Sequence, residues 1–233
     1  MTNEHEQNNP QSAIGNPQPE SSNSAIRSLR RFVRPRAAAA ERCELCAAEL
    51  PPGHLHLIEP QTRQLVCACQ PCAILFSGQT ETKYRRVPQR VRSLPDFRLT
   101  DAQWDGLSIP IGMAFFFRSS PAGKTLALYP SPAGATESLL DLESWNSVVE
   151  DNPVLKELEP DVEALLVNRV NGAREYFIVP IDECYKLVGL IRAHWRGLSG
   201  GAEVWEEIGR FFEGLKASSS TSSTSRTGEV ARA

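Results

Sequence analysis

Two pairs of cysteines constrain this chain more than anything else in it. Cys43-Glu-Leu-Cys46 is followed by Cys67-Ala-Cys69-Gln-Pro-Cys72, so five of the six cysteines fall within thirty residues, with His54 and His56 between them. A two-residue spacer lets one tight turn aim two thiolates at a single ion. Two such turns supply the four ligands of a tetrahedral zinc site, each sulfur about 2.3 Å from the metal. The expected ligands are Cys43, Cys46, Cys69 and Cys72. The 22 residues between Cys46 and Cys69 leave room for a hairpin, as in zinc ribbons and treble-clef knuckles. The second pair sits where a strand runs into a helix, whose amide donors stabilise thiolates.

Cys67 complicates that assignment. On a strand Cys67 and Cys69 point to the same face, so Cys67 either replaces Cys69 as a ligand or lies beside the site as a buried thiol. His54 and His56 also share a strand face; they are a solvated or hydrogen-bonded pair, replacement ligands, or groups supporting the ligands. Four thiolates suit an iron–sulfur cluster as well as Zn²⁺, and thiolate count does not separate the two. A dithiol redox pair would leave the second pair unexplained. Cys184 falls on the apolar side of a predicted helix and reads as core.

Both ends of the chain lack material for a core. Residues 1–24 hold Ile14 as their one large apolar side chain after Met1, and from Ala217 the sequence is mostly Ser, Thr and Ala. Such segments do not recover their ordering entropy by burial. The reading is a disordered tail over 1–41, a cysteine-rich zinc-binding module over 42–79, a basic linker over 80–99, an α+β domain over 100–216 and a second tail over 217–233. The longest strongly apolar run, Ile109–Phe117, is nine residues and far short of a membrane span. Arg30-Arg31-Phe32-Val33 imitates a twin-arginine signal, but Arg34-Pro35-Arg36 follows directly and Glu41 and Arg42 stop the alanine run. The expectation is a cytoplasmic protein. In a reducing compartment clustered Cys-x-x-Cys pairs are metal ligands before they are disulfides.

Formal net charge is −3 but unevenly spread. Lys83 to Arg98 holds six basic residues and one acid, whereas Glu137 to Glu163 holds nine acids and one base. These stretches either serve a partner or face each other across the fold.

Pattern along the chain predicts an antiparallel sheet packed with helices. His54–Glu59 and Gln64–Ala68 read as strands, followed by a helix opening near Pro71 and stopping at Gly78. Thr100 and Gln103 form a capping box. Ile109–Arg118 and Thr125–Tyr129 read as strands, Pro130–Thr136 as a loop, and Asp141 as the cap of a helix with Leu142, Trp145 and Val149 on one face. Asn152-Pro153 starts a short helix. Asn171-Gly172 joins strands 164–170 and 173–179 in a hairpin. Asp182 caps a helix, and a last helix places Val204, Ile208, Phe211, Phe212 and Leu215 on one face, with Trp205 partly exposed as a docking residue.

Several stretches together resemble a known group. They are the Arg-Arg-Phe-Val lead-in, Cys43-Glu-Leu-Cys46, Cys67-Ala-Cys69-x-x-Cys72, Tyr129–Glu137, Asp161–Arg169 and Pro180–Tyr185. The chain is similar over about 30–216 to an uncharacterised, mainly actinobacterial family encoded near uptake nickel–iron hydrogenases. The resemblance implies a context of hydrogenase assembly, maturation or electron transfer. It implies a protein partner, a hydrogenase subunit or maturation factor, and carries no catalytic residue.

The residues themselves support an accessory or interaction protein over a catalyst. Glu137, Asp161, Glu163, Arg169 and Asp182 lie beside buried-looking strands and turns, and Asp161, Glu163 and Asp182 can be read as a carboxylate site of an enzyme. Each also has a simple structural role, and no phosphate loop, nucleophile elbow or H-E-x-x-H motif is present. A nucleic-acid-binding zinc ribbon is the other alternative, with Arg85, Arg86, Arg90 and Arg92 trailing the module. The negative net charge and the apolar residues after Cys72 count against it.

Overall fold

Side chains on successive strand residues point to opposite faces, and here both faces are covered by helices. The computed structural model describes residues 40–77, 83–139, 142–197 and 199–224. The expected tails up to residue 39 and beyond 224, the Arg30–Arg36 segment, the Gly78 stop and the Asp141 cap lie outside them.

The fold is α+β, with a small sheet and a larger antiparallel one. The small sheet has the order β2-β1-β3, from β1 (Leu55–Glu59), β2 (Gln64–Ala68) and β3 (Arg85–Arg86). Helix α1 (Gln70–Ser77) follows β2. The large sheet has the order β4-β9-β8-β5-β6-β7, from β4 (Arg92–Ser93), β5 (Met113–Ser119), β6 (Lys124–Ser131), β7 (Gly134–Ser138), β8 (Glu163–Asn168) and β9 (Glu175–Pro180). The helices around it are α2 (Asp101–Gly106), α3 (Leu142–Asp151), α4 (Ile181–His194) and α5 (Gly201–Thr224).

Alternation along the central strands builds two cores. Phe115, Phe117, Leu166, Phe177 and Val179 face Cys184, Leu187 and Ile191 of α4 and Val204, Ile208 and Phe212 of α5. Ala114, Phe116, Leu165, Val167 and Tyr176 face Leu107, Trp145 and Val148 on the other side. Phe116 and Trp145 stack with ring centroids 4.8 Å apart. Phe115, Phe116 and Phe177 are fully buried, each contributing roughly 1.5–3 kcal/mol. The Thr100–Gln103 capping box opens α2, with both reciprocal bonds made.

Four expectations need correction. Pro130–Thr136 is not a loop: β6 runs to Ser131 and β7 starts at Gly134, with Ser131 paired to Gly134 across a two-residue turn. Gly134 takes φ +131°, a conformation glycine tolerates, which lets so short a connection close. Of the expected linker 80–99, the described residues 83–99 are not a free linker. Arg85–Arg86 pairs with β1 and Arg92–Ser93 with β9, so this stretch adds an edge strand to each sheet. Val87 and Val91 sink with Ile58 into the core under α4 and α5. The last helix continues past Lys216 to Thr224, so its backbone outlasts its apolar face. Finally, Asp182 is in the first turn of α4 and does not cap it; Pro180 occupies the cap position.

The uneven charge is used within the fold. Arg85 pairs with Glu159 and Asp161, and Arg92 with Glu157 and Glu163, so the basic stretch meets the acidic one directly.

Candidate metal centre

Residues 42–50 form a knuckle closed at its neck by a bridge between Arg42 and Glu49. The Ala47 N–H donates to the Cys43 carbonyl at 2.7 Å, and Ala47 takes φ +61° to turn the chain after the second cysteine. The knuckle is pinned to β2 on both sides of one residue: Glu44 N–H donates to the Cys67 carbonyl at 2.9 Å, and its carboxylate accepts from Cys67 N–H. Nothing in the sequence marked Glu44 for this role, because the contact spans 23 residues. The second pair sits where β2 gives way to α1, with Ala73 N–H donating to the Cys69 carbonyl at 2.9 Å.

These two turns bring one sulfur each from Cys43, Cys46, Cys69 and Cys72 to within 4.8 Å of one another. Cys46 Sγ and Cys69 Sγ are 3.6 Å apart. Tetrahedral Zn–S bonds of about 2.3 Å demand sulfur–sulfur separations of about 3.8 Å, so the donor set fits a four-coordinate ion. Cys67 is not among the four. Burial opposes ionisation of Cys43, but hydrogen bonds from the backbone of Cys69, Leu45 and Cys46 outweigh it and bring that thiol down to about 6. Cys72 is pushed up to about 12, by burial first and then by the neighbouring thiols. Thiols this close do not all ionise together unless a cation offsets their repulsion. The cluster is capable of binding a metal ion.

His54, His56 and Cys67 form a second group, with one donor atom from each within 4.8 Å of the others. His56 and Cys67 are cross-strand partners in β1 and β2. The His56 Nδ1 lies 2.7 Å from Asp182 Oδ2, a bond that raises the pKa of His56 against the effect of burial. Asp182 was expected as a helix cap; its other oxygen accepts from Glu183 N–H instead.

The carboxylates proposed for an enzyme do not gather. Asp161 is buried and accepts from Ser120 N–H at 2.8 Å and from Arg85 at 3.1 Å. Glu163 is buried, accepts from Glu159 N–H at 3.1 Å and faces Arg92 at 4.0 Å. Glu137 pairs with Arg63 at 3.4 Å, while Arg169 pairs with Asp101 and lies over the Trp104 ring. Each group therefore has its own local partner, and Asp161, Glu163 and Asp182 serve three different contacts. Trp205 is 39% exposed, packs edge-on to Trp195 and donates to the Ser199 carbonyl at 3.2 Å. Cys184 is fully buried.

Among the described residues no helix is long and apolar enough to cross a membrane. No curated protein and no solved structure matches the chain. Residues 42–219, from the first knuckle to the last helix, match the model described as "Family of unknown function (DUF5947)", and the chain belongs to that family.

Proposed function

We propose that this is a zinc-stabilised accessory protein that docks a protein partner, its four-cysteine centre being a ribbon or treble-clef-like structural site. The observation that carries the reading is the placement of Cys69 and Cys72 at the head of α1. Beyond the buried Ala73, Ile74 and Leu75 of that helix are 62% and 65% exposed. A metal that clamps the base of a short helix holds its apolar outer side rigid, and rigid apolar anchors are what interfaces use. Trp205 is a second exposed anchor. The proposed partner is a nickel–iron hydrogenase subunit or maturation factor, and this part rests on the family resemblance alone; the cytoplasmic setting is proposed from the sequence reading. Engagement of Arg85 and Arg92 with acidic side chains supports a protein partner over nucleic acid.

Metal analysis of anaerobically purified protein, with co-purification from cells expressing the hydrogenase, tests both parts. Colourless protein carrying zinc, with a hydrogenase subunit recovered by wild type and lost from an Ile74→Glu/Leu75→Glu variant, supports the proposal. Iron with sulfide absorption replaces zinc by a cluster. Recovery of nucleic acid, or of no partner, overturns the docking role.

A further inference from the structure

We propose that His54, His56 and Cys67 form a second metal site, distinct from the four-cysteine centre, that binds a Zn²⁺-type ion through two imidazoles and one thiolate and keeps a fourth position open to solvent. The backbone supplies the arrangement. His54 immediately precedes β1 and His56 is its second residue, and the β1–β2 register sets Cys67 directly opposite His56. The two rings stand 4.8 Å apart at 75°, edge to face, and a donor atom from each residue of the trio falls within 4.8 Å of the others.

The strongest sign is on His54. Its side chain is 7% exposed, and its Nε2 is buried with no hydrogen-bond partner. Its Nδ1 lies 3.3 Å from both the Pro51 carbonyl and a Glu41 carboxylate oxygen. Both neighbours are acceptors, so in the neutral ring the proton sits on Nδ1 and Nε2 carries the lone pair. A buried, bare imidazole nitrogen costs free energy unless something accepts its lone pair, and a metal ion does.

His56 is prepared in the same way. Asp182 holds its Nδ1 at 2.7 Å, leaving Nε2 for a ligand bond. A carboxylate on the far nitrogen is the usual support for a metal-bound histidine: it selects the tautomer and raises the donor strength of the ring. Asp182 is itself positioned by Glu183 N–H. So both histidines have Nδ1 occupied and Nε2 available, the state two ligands in one shell need.

Three protein donors of mixed nitrogen and sulfur type leave a four-coordinate zinc one position short, which is how exchangeable and catalytic zinc sites differ from structural ones. His54, His56 and Asp182 line a cavity of about 600 Å³ that also reaches Tyr185 and Lys186. A water molecule or a small anion entering this cavity completes the shell. The two centres therefore differ in kind: one closed by four thiolates, the other open.

Zinc stoichiometry of the full chain tests the assignment, together with Co²⁺ substitution, which distinguishes four-sulfur from mixed coordination. Wild type is expected to bind two zinc ions per chain, one of them released first by a mild chelator. His54→Ala and His56→Ala are expected to bind one, with the four-sulfur cobalt spectrum unchanged. Asp182→Asn is expected to keep two sites while weakening one about 10- to 100-fold. Far-UV circular dichroism reports whether a variant folds, and Cys67→Ala serves in place of any histidine variant that does not. One zinc per chain in folded wild type at saturating metal overturns the site, as does a second zinc that survives loss of His54 or Cys67.

Discussion

His56 and Asp182 are 126 residues apart in sequence and 2.7 Å apart in the fold. One belongs to the small cysteine-rich sheet, the other to the first turn of α4 over the large sheet. The bond ties the cysteine-rich part to the body at a side-chain level, as β3, β4, Val87 and Val91 do through the backbone and core. Loss of one partner of a hydrogen bond to a charged group costs about 1.5–3 kcal/mol. Asp182→Ala should therefore lower the stability of metal-free protein by about that much in urea titration, while leaving the large-sheet secondary structure intact. No change in midpoint would show the pair to be incidental.

Removal of metal from the four-cysteine centre should loosen residues 43–77 before the rest. Apart from the cysteines and Ile58, which packs into the main core, the buried apolar residues there are Leu50, Leu57, Val66, Ala68 and Ala73. Metal binding contributes roughly 10–16 kcal/mol in zinc-finger peptides. Hydrogen exchange after chelation, or in Cys43→Ser, should show lost protection over β1, β2 and α1 and retained protection over β5, β8 and β9. Simultaneous loss across both sheets would mean the whole chain unfolds as one unit.

Asp161 is a structural residue in a demanding position. It has φ +67°, its carboxylate is buried, and it satisfies Ser120 N–H and Arg85. Asp161→Ala should destabilise by about 1–3 kcal/mol through loss of its hydrogen bonds from Ser120 N–H and Arg85. Asp161→Gly loses the same bonds but suits the left-handed backbone, so it should be the milder of the two by thermal melt. The reverse order would argue against backbone strain here.

Phe212 and Trp205 sit on the same helix but should differ sharply. Phe212 is 2% exposed, with its ring centroid 6.2 Å from that of Phe177. Phe212→Ala should cost about 3–5 kcal/mol as a cavity. Trp205→Ala should cost less and reduce partner retention more, measured by urea titration alongside co-purification. Comparable losses of stability would remove Trp205 as a docking residue.

Glu203 provides a pH test at the α4–α5 corner. Its carboxylate lies 2.8 Å from His194 Nδ1, and that hydrogen bond holds its pKa below the ordinary value. A depressed carboxylate adds stability above its unfolded pKa and loses it as pH falls through the folded one. NMR titration should find Glu203 ionising below the normal carboxylate range and returning toward it in His194→Ala. An unchanged midpoint in that variant would assign the shift elsewhere.

Local sequence carried much of what local physics decides. The cysteine spacing, the Thr100–Gln103 capping box and the apolar stripe of α5 depend on residues a few positions apart, and the structure has all three. The strands of β1 and β2 were legible because their turn signals are short-range. The turn at Ser131–Gly134 was misread because proline and glycine mark loops and tight hairpins alike, and only pairing with β7 separates the two.

What the tertiary structure alone decided are the long-range meetings. Six basic residues in a row of sixteen look like a linker until Arg85 and Arg92 find Asp161 and Glu163. His54 and His56 look like a solvated pair until a closed β1–β2 register sets Cys67 beside them and α4 delivers Asp182 to one ring. Side-chain identity states what a residue can bind. Which partner reaches it is settled by packing, because burial makes an unpaired polar atom costly wherever the fold happens to leave it.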